Sequence, residues 1–136
     1  MKKLFVGVLC VALSLSVQGK EVNMTSPDGK YQFTLSDSGG QLHYSLTWNG
    51  KQTVKPSLLG INANVEWRDG VEIGTVDSSR KDTIWHPVYG ERSEIKDCYH
   101  AWKIVVNRQN GRDKLILDVR AYDEGIAFRY HFPGGQ

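Results

Sequence analysis

The chain has 136 residues, with 17 Lys and Arg against 15 Asp and Glu, and a formal net charge of +2. Lys2 and Lys3 account for this whole excess, because residues 20–136 contain basic and acidic side chains in equal number. Such a balance excludes a basic patch of the kind that binds nucleic acid or an anionic membrane. A chain of this length can bury one hydrophobic core but not two.

The first residues have the pattern of a secretory signal peptide. Lys2-Lys3 is followed by an uncharged apolar run from Leu4 to Val17, and then by a small residue at the cleavage position, Gly19. A transmembrane helix needs about 20 apolar residues, which is more than this run provides. We therefore predict that residues 1–19 are a cleaved signal peptide and that residues 20–136 form the exported, mature chain.

Cysteine usage gives no sign of a disulfide or of a nucleophile. Cys10 lies in the signal segment, so the mature chain keeps only Cys98 and cannot form an internal disulfide. His100 follows two residues later, but no third catalytic partner is identifiable. We predict that Cys98 is a small, mostly buried apolar residue. The four histidines show no zinc-ligand spacing.

Turn signals recur along the mature chain, with alternating apolar and polar residues between them. Gly after Asn or Asp favours the left-handed backbone angles of tight hairpin loops. The turn signals are Asp28-Gly29, Gly39-Gly40, Asn49-Gly50, Asp69-Gly70, Asn110-Gly111 and Glu124-Gly125. No segment of the mature chain has a sustained helical period. The pattern is typical of an all-β protein, an antiparallel sandwich or barrel.

The first predicted hairpin joins Leu42–Trp48 to Lys51–Val54. Pro56 is expected to end the second strand, because proline has no N–H to donate to a sheet ladder. The next predicted elements are strands over Leu58–Trp67 and Val71–Val76, a polar loop over Ser78–Thr83, and a long hairpin of Ala101–Asn107 with Lys114–Tyr122.

The last predicted strand is apolar along one face. After the turn Asp123-Glu124-Gly125, the residues at every second position are Ile126, Phe128, Tyr130 and Phe132. An edge strand of this kind normally pairs with a further strand, because an exposed apolar edge promotes aggregation. We therefore expect residues 20–136 to be the first part of a longer sandwich, unstable or oligomeric by itself.

The segment from Ile84 to His100 does not alternate like the rest. It combines Trp85, Tyr89 and Glu91 with a proline and a glycine, which is typical of a loop that covers a surface or lines a cleft. One interpretation is a carbohydrate-facing loop, in which aromatic rings stack on sugars and charged groups bind hydroxyls. The other is a loop that its aromatic residues hold against the sandwich, with a Glu91–Arg92 pair on the surface.

This segment carries a resemblance to a known family. Trp85-His-Pro-Val-Tyr-Gly-Glu91, followed by Glu94-Ile95 and Tyr99, resembles a segment in the N-terminal domain of glycoside hydrolase family 97, which contains α-glucosidases and α-galactosidases of Gram-negative bacteria. Three further stretches match in the same order: Thr25-Ser-Pro-Asp-Gly29, Lys55-Pro-Ser-Leu-Leu-Gly60 and Arg120-Ala-Tyr-Asp-Glu-Gly-Ile-Ala-Phe-Arg-Tyr130.

The resemblance implies a fold and a place in a larger enzyme. Residues 20–136 would be the first part of an antiparallel β-sandwich of the galactose-mutarotase-like super-sandwich type. In the parent enzyme this sandwich packs on a (β/α)8 barrel that carries the catalytic carboxylates, beside a calcium ion. The chain itself would contain no catalytic residue and no metal ligand, since the sandwich's own ligand would fall beyond Gln136.

The resemblance also implies a site and a location. Trp85, Tyr89 and Glu91 would bind substrate as part of the wall around an α-linked oligosaccharide, in the periplasm or at the cell surface. The strand after this loop departs from the family, because Tyr99-His100-Ala101 stands where Tyr-Asn-Glu is common. This puts any polar role of that strand in doubt. The rival hypothesis is a free-standing carbohydrate-binding or structural β module.

Overall fold

The computed structural model describes residues 19–63 and 65–134, so the predicted signal segment, except for Gly19, lies outside the described residues. The described part is almost entirely strand. The strands are β1 (Glu21–Thr25), β2 (Tyr31–Ser36), β3 (His43–Trp48), β4 (Lys51–Leu58), β5 (Val71–Trp85), β6 (Ile95–Arg108), β7 (Lys114–Tyr122) and β8 (Gly125–His131).

Each half of the chain forms one antiparallel sheet of four strands in sequence order. The first sheet is β1-β2-β3-β4 and the second is β5-β6-β7-β8. Neighbouring strands are joined by short turns, as the Gly-containing dipeptides predict. At Asn49-Gly50 both residues have positive φ, 48° and 73°, which matches the hairpin turn whose twist suits a right-handed sheet.

The core lies between the two sheets. Phe33 and Leu35 of the first sheet are buried, and so are Leu115, Leu117 and Val119 of the second sheet. These are residues that the alternation assigns to one face of each strand. The rings of Phe33 and Phe128 meet across the interface with centroids 6.1 Å apart. The prediction of an all-β antiparallel sandwich is therefore confirmed.

Asp37 connects the two sheets at the end of β2. Its carboxylate accepts hydrogen bonds from the backbone N–H of Lys20 and, at 2.7 Å, from the backbone N–H of Ile73 on β5. Hydrogen bonds to a charged acceptor are stronger than neutral ones. Lys20, directly before β1, and the start of the second sheet are therefore held by the same side chain.

The strand predictions were wrong at β4. Strand β4 continues past Pro56 to Leu58, because the ladder with β3 shifts register between Val54 and Ser57. Lys55 and Pro56 together oppose Ser45, as in a β-bulge on an edge strand, where a missing N–H is tolerated.

Of the described residues in the predicted range Leu58–Trp67, only Leu58 lies in a strand, as the last residue of β4. The other described residues of the range form a loop, with one isolated bridge between Asn62 and Glu66 and with Leu59 and Trp67 buried at its two ends. The loop closes on itself where the N–H of Trp67 donates to the carbonyl of Ile61 at 3.0 Å. Alternation alone does not distinguish such a pinned loop from a strand.

The predicted loop at Ser78–Thr83 is also wrong. Strand β5 runs without interruption through these polar residues, and each of them pairs with a residue of β6, from Ser78 with Trp102 to Thr83 with Asp97. The irregular segment expected over Ile84–His100 is also shorter than predicted, because β5 continues to Trp85 and β6 begins at Ile95. Polar residues suit this part of β5 because it is exposed rather than buried.

Candidate functional site

Strands β5 and β6 extend beyond the rest of the second sheet. The ladder between β6 and β7 begins at His100, whereas the ladder between β5 and β6 continues to the pair Trp85–Ile95. Residues 81–85 and 95–99 therefore form a two-stranded ribbon, closed by residues 86–94. We call residues 81–99 the arm, because its strands pair only with each other within the described chain.

The tip of the arm exposes large apolar side chains. Val88 and Tyr89 are 86% and 91% exposed, and Ile84 and Trp85 are 53% and 52% exposed. Exposed apolar residues that lie singly on a surface need no explanation, but a group at one projecting end is typical of a contact site. The tip is therefore the main candidate site of the described chain.

All three residues of the predicted sugar-binding loop lie at this tip. Trp85 is the last residue of β5, and Tyr89 and Glu91 are in the connecting segment, where both are exposed. The alternative with a Glu91–Arg92 surface pair finds no support, since neither residue belongs to an ion pair among the described residues. The Glu91 carboxylate is thus accessible to a hydrogen-bond donor.

One hydrogen bond lies within the connecting segment. His86 Nδ1 lies 3.0 Å from the carbonyl oxygen of Ser93, which brings the two ends of the segment together. Pro87, next to His86, is half-buried and has a fixed φ. The exposed side chains of Val88 and Tyr89 are therefore carried on a closed loop.

Polar pairs across the ladder stabilise the arm itself. Lys81 Nζ lies 2.6 Å from a carboxylate oxygen of Asp97, and hydrogen bonding to Asp97 raises the pKa of Lys81. This pair was not predicted from the sequence, because residues 78–83 were expected to form a loop. Charged and small polar residues come in runs from Asp77 to Thr83, so no period-two pattern marks the strand there.

The prediction that Cys98 is a mostly buried apolar residue was wrong. Cys98 is half-buried, and its thiol donates to Asp82 Oδ1 at 2.7 Å across the ladder. This hydrogen bond, together with desolvation, raises the pKa of the Cys98 thiol. The position lies on the arm, beyond the two facing sheets, so no second layer covers it. A raised pKa makes the thiol less nucleophilic at neutral pH.

The base of the arm is tied to the first sheet. His100 Nδ1 lies 2.9 Å from the carbonyl oxygen of Thr25, at the end of β1. Nearby, the N–H of Asp28 donates to Asp123 Oδ1 at 2.9 Å, which links a turn of each sheet. The arm therefore projects from a base that both sheets hold in place.

Metal ligation and membrane insertion can be tested for the described part only. In residues 19–63 and 65–134, no three His, Cys, Asp or Glu side chains lie close enough together to hold a metal ion. The family resemblance implies calcium for the full-length parent enzyme, and the described residues offer no cluster of ligands for it. The same ranges contain no helix with the length and apolar character that crossing a membrane requires.

Two facing antiparallel sheets with a projecting arm define a β-sandwich domain. Residues 24–136 match the family described as Glycosyl-hydrolase 97 N-terminal. The chain belongs to this family.

Relatives and solved structures agree with the family. The chain is 31% identical to a retaining α-galactosidase of Bacteroides thetaiotaomicron over 134 residues, which are 96% of the chain and 19% of that protein. A family 97 enzyme from Pseudoalteromonas sp. strain K8, solved in complex with acarbose, shares the fold with a TM-score of 0.77 at 23% identity, over 84% of the chain and 18% of the enzyme.

A second solved structure has the same fold. A β-arabinopyranosidase matches with a TM-score of 0.75 at 24% identity, again over 84% of the chain and 18% of the other protein. The chain therefore spans about a fifth of the length of the proteins it matches. At this level of identity, the two structural matches establish the fold.

Proposed function

We propose that residues 20–136 form the first part of the N-terminal sandwich of an exported family 97 glycosidase, and that the arm forms part of the wall around its carbohydrate site. One observation carries the proposal: the tip of the arm exposes Trp85, Tyr89 and Glu91 together, beyond the sandwich. In a larger enzyme such a tip contacts another part of the protein or its substrate.

The chemistry of the tip suits a sugar. The aromatic faces of Trp85 and Tyr89 provide apolar surfaces for the C–H face of a pyranose ring, and their area contributes most of the contact energy. The Glu91 carboxylate accepts hydrogen bonds from hydroxyl groups, and hydrogen bonds to a charged acceptor are the stronger kind. Together they orient a sugar unit, and a catalytic domain then hydrolyses the glycosidic bond beside it.

Catalysis in this proposal belongs to the parent enzyme. Its substrate is an α-linked oligosaccharide, as the name of the α-galactosidase relative indicates for that protein. The acid and base carboxylates lie on a (β/α)8 barrel, and calcium is bound by residues of the parent enzyme outside the described chain. The mature chain, exported to the periplasm or the cell surface, contributes binding and orientation of the sugar.

The test is Glu91→Gln in a complete enzyme that contains this domain. The change keeps the size of the side chain and removes its charge. We expect kcat/KM on an α-glycoside to fall by about tenfold or more, which corresponds to roughly 1.4 kcal/mol of transition-state binding. The melting temperature should stay nearly constant. Glu94→Gln, in the same connecting segment and equally exposed, is the matched control and should change neither quantity.

Two results would contradict the proposal. If Glu91 only braces the loop, Glu91→Gln lowers the melting temperature while kcat/KM of the folded enzyme stays constant. If purified residues 20–136 hydrolyse an α-glycoside and Glu91→Gln abolishes that hydrolysis, the proposal that catalysis belongs to another part of a larger enzyme is wrong.

A further inference from the structure

A second candidate site lies on the outer face of the second sheet. Four residues stand in one transverse row of the ladder: Ser79 of β5, Ala101 of β6, Arg120 of β7 and Ala127 of β8. Side chains in register share a face of the sheet. Arg120 therefore rises between two alanines, and the small side chains leave a depression across the strands.

The neighbouring rows form the two walls of this depression. One wall alternates in charge in the order Asp77, Lys103, Asp118 and Arg129. The other wall contains Lys81, Tyr99 and Tyr122, with the two tyrosine rings 5.1 Å apart. We call this feature the Arg120 trough; its larger cavity, beside Tyr99, measures about 470 Å³.

The guanidinium of Arg120 is held in place without a carboxylate partner. Its Cζ lies 4.7 Å from the centroid of the Tyr99 ring, a cation–π distance. Hydrogen bonding to Tyr122 raises the pKa of Arg120. None of the ion pairs found among the described residues includes Arg120. Arg129, by contrast, pairs with Asp118 at 2.9 Å. The oriented N–H donors of Arg120 therefore remain available to a ligand.

The charge of the trough selects the kind of ligand. Its walls and floor contain four cationic side chains, Lys81, Lys103, Arg120 and Arg129, against the three carboxylates Asp77, Asp97 and Asp118. A nearly balanced site of this kind does not favour a polyanion. It offers donors, acceptors and apolar surface within one open depression, and these are the groups that a neutral polyhydroxylated molecule needs.

We propose that the Arg120 trough binds a neutral oligosaccharide, with the sugar chain lying across the strands. Two adjacent hydroxyl oxygens accept hydrogen bonds from the planar guanidinium, which presents its donors in a fixed fork. The alanine floor and the tyrosine edges contact the C–H face of the ring. The trough is separate from the tip of the arm, so this binding does not depend on the function proposed for the tip.

The test is calorimetric titration of the purified full chain with maltoheptaose and with stachyose, as probes for α-linked glucosyl and galactosyl units. We expect saturable binding of one of the two. Arg120→Ala should weaken that binding at least tenfold, and Ala101→Glu should do the same, because a carboxylate opposite Arg120 fills the trough and pairs with the guanidinium. Arg112→Ala, exposed in the turn between β6 and β7, is the control and should bind like the parent chain.

Melting curves of all variants separate a binding defect from a folding defect, since Ala101→Glu should melt no lower than the parent chain. The proposal for the tip is tested by kcat/KM of a complete enzyme and the proposal for the trough by the Arg120→Ala titration, so the two can fail independently. Absence of saturable binding to either sugar, or equal binding by Arg120→Ala, overturns the proposal. So does footprinting of a longer family member that shows Tyr99 and Tyr122 protected without sugar, because the trough would then be an interface with another domain.

Discussion

The sandwich and the arm use the same antiparallel pairing but are stabilised in different ways. In the sandwich, strands such as β2 and β7 bury one face against the other sheet, and residues such as Leu117 and Val119 are fully buried. In the arm, residues 81–85 and 95–99 have no second layer, and their stability comes from the ladder and from polar pairs such as Lys81–Asp97. The difference shows that strand pairing alone does not create a core. The apolar side chains of an uncovered ribbon stay exposed and accessible to a partner.

The largest expected effect is on the core. Leu117→Ala removes a fully buried side chain of β7 and should lower the free energy of unfolding by about 2–5 kcal/mol, because the lost contacts leave a cavity. Ile84→Ala, on the arm, should change it by no more than about 0.5 kcal/mol, as is usual for exposed positions. Denaturant unfolding followed by tryptophan fluorescence measures both. Equal losses in the two variants would show that the arm is packed after all.

A smaller effect is expected from two turns that look alike in the sequence. Gly50→Ala forces an L side chain into a φ of 73° and should cost about 1 kcal/mol. Gly111 also follows an asparagine, but it is not among the residues with positive φ, and a Cβ there meets only ordinary contacts of 3.5 Å or more. Gly111→Ala should therefore leave the melting temperature nearly unchanged. A loss as large as that of Gly50→Ala would contradict the difference between the two turns.

The smallest expected effect is a change in the alkylation rate of Cys98, which lies on the arm. Because Asp82 raises the pKa of Cys98, alkylation of this thiol at pH 8 should be slower than that of an unfolded cysteine peptide. Asp82→Asn should bring the pKa down and speed the reaction severalfold, as mass spectrometry can measure. Asp113→Asn, on an exposed residue of the β6–β7 turn, is the control.

The sign of the pH dependence of folding stability follows from the raised pKa of Cys98. The folded chain holds the Cys98 proton more tightly than the unfolded chain does, so the stability from this interaction is complete below the unfolded pKa. It is lost as the pH rises through the folded pKa. An alkylation rate that Asp82→Asn leaves unchanged would show that the Cys98–Asp82 hydrogen bond does not form in solution.

The alternation in the sequence predicted the β6–β7 hairpin and β8 well. The hairpin of β6 with β7 and the turn before β8 agree with the structure, because period-two patterns and turn residues are local signals. The predictions failed at Pro56 and at residues 78–83. There the outcome depended on a bulge opposite Ser45 and on a pairing with residues far along the chain.

The two candidate sites show the same contrast between local sequence signals and pairing of distant residues. Composition identified Trp85, Tyr89 and Glu91 as unusual, and all three lie at one exposed tip, while their role in binding stays a prediction. The trough was not predicted, because Ser79, Ala101, Arg120 and Ala127 have nothing in common until the register of four strands aligns them. Each of these residues is ordinary in its own segment.

The sequence by itself therefore determined the fold class, the family and most of the strands, since these depend on residue types and on spacing within a few positions. Only the tertiary structure decided where β5 and β6 leave the sandwich and which outward side chains become neighbours. The physical reason is that antiparallel register is fixed by contacts between residues distant in the chain, such as Val71 with Arg108 and His100 with Ala121. One step of register exchanges the two faces of a strand.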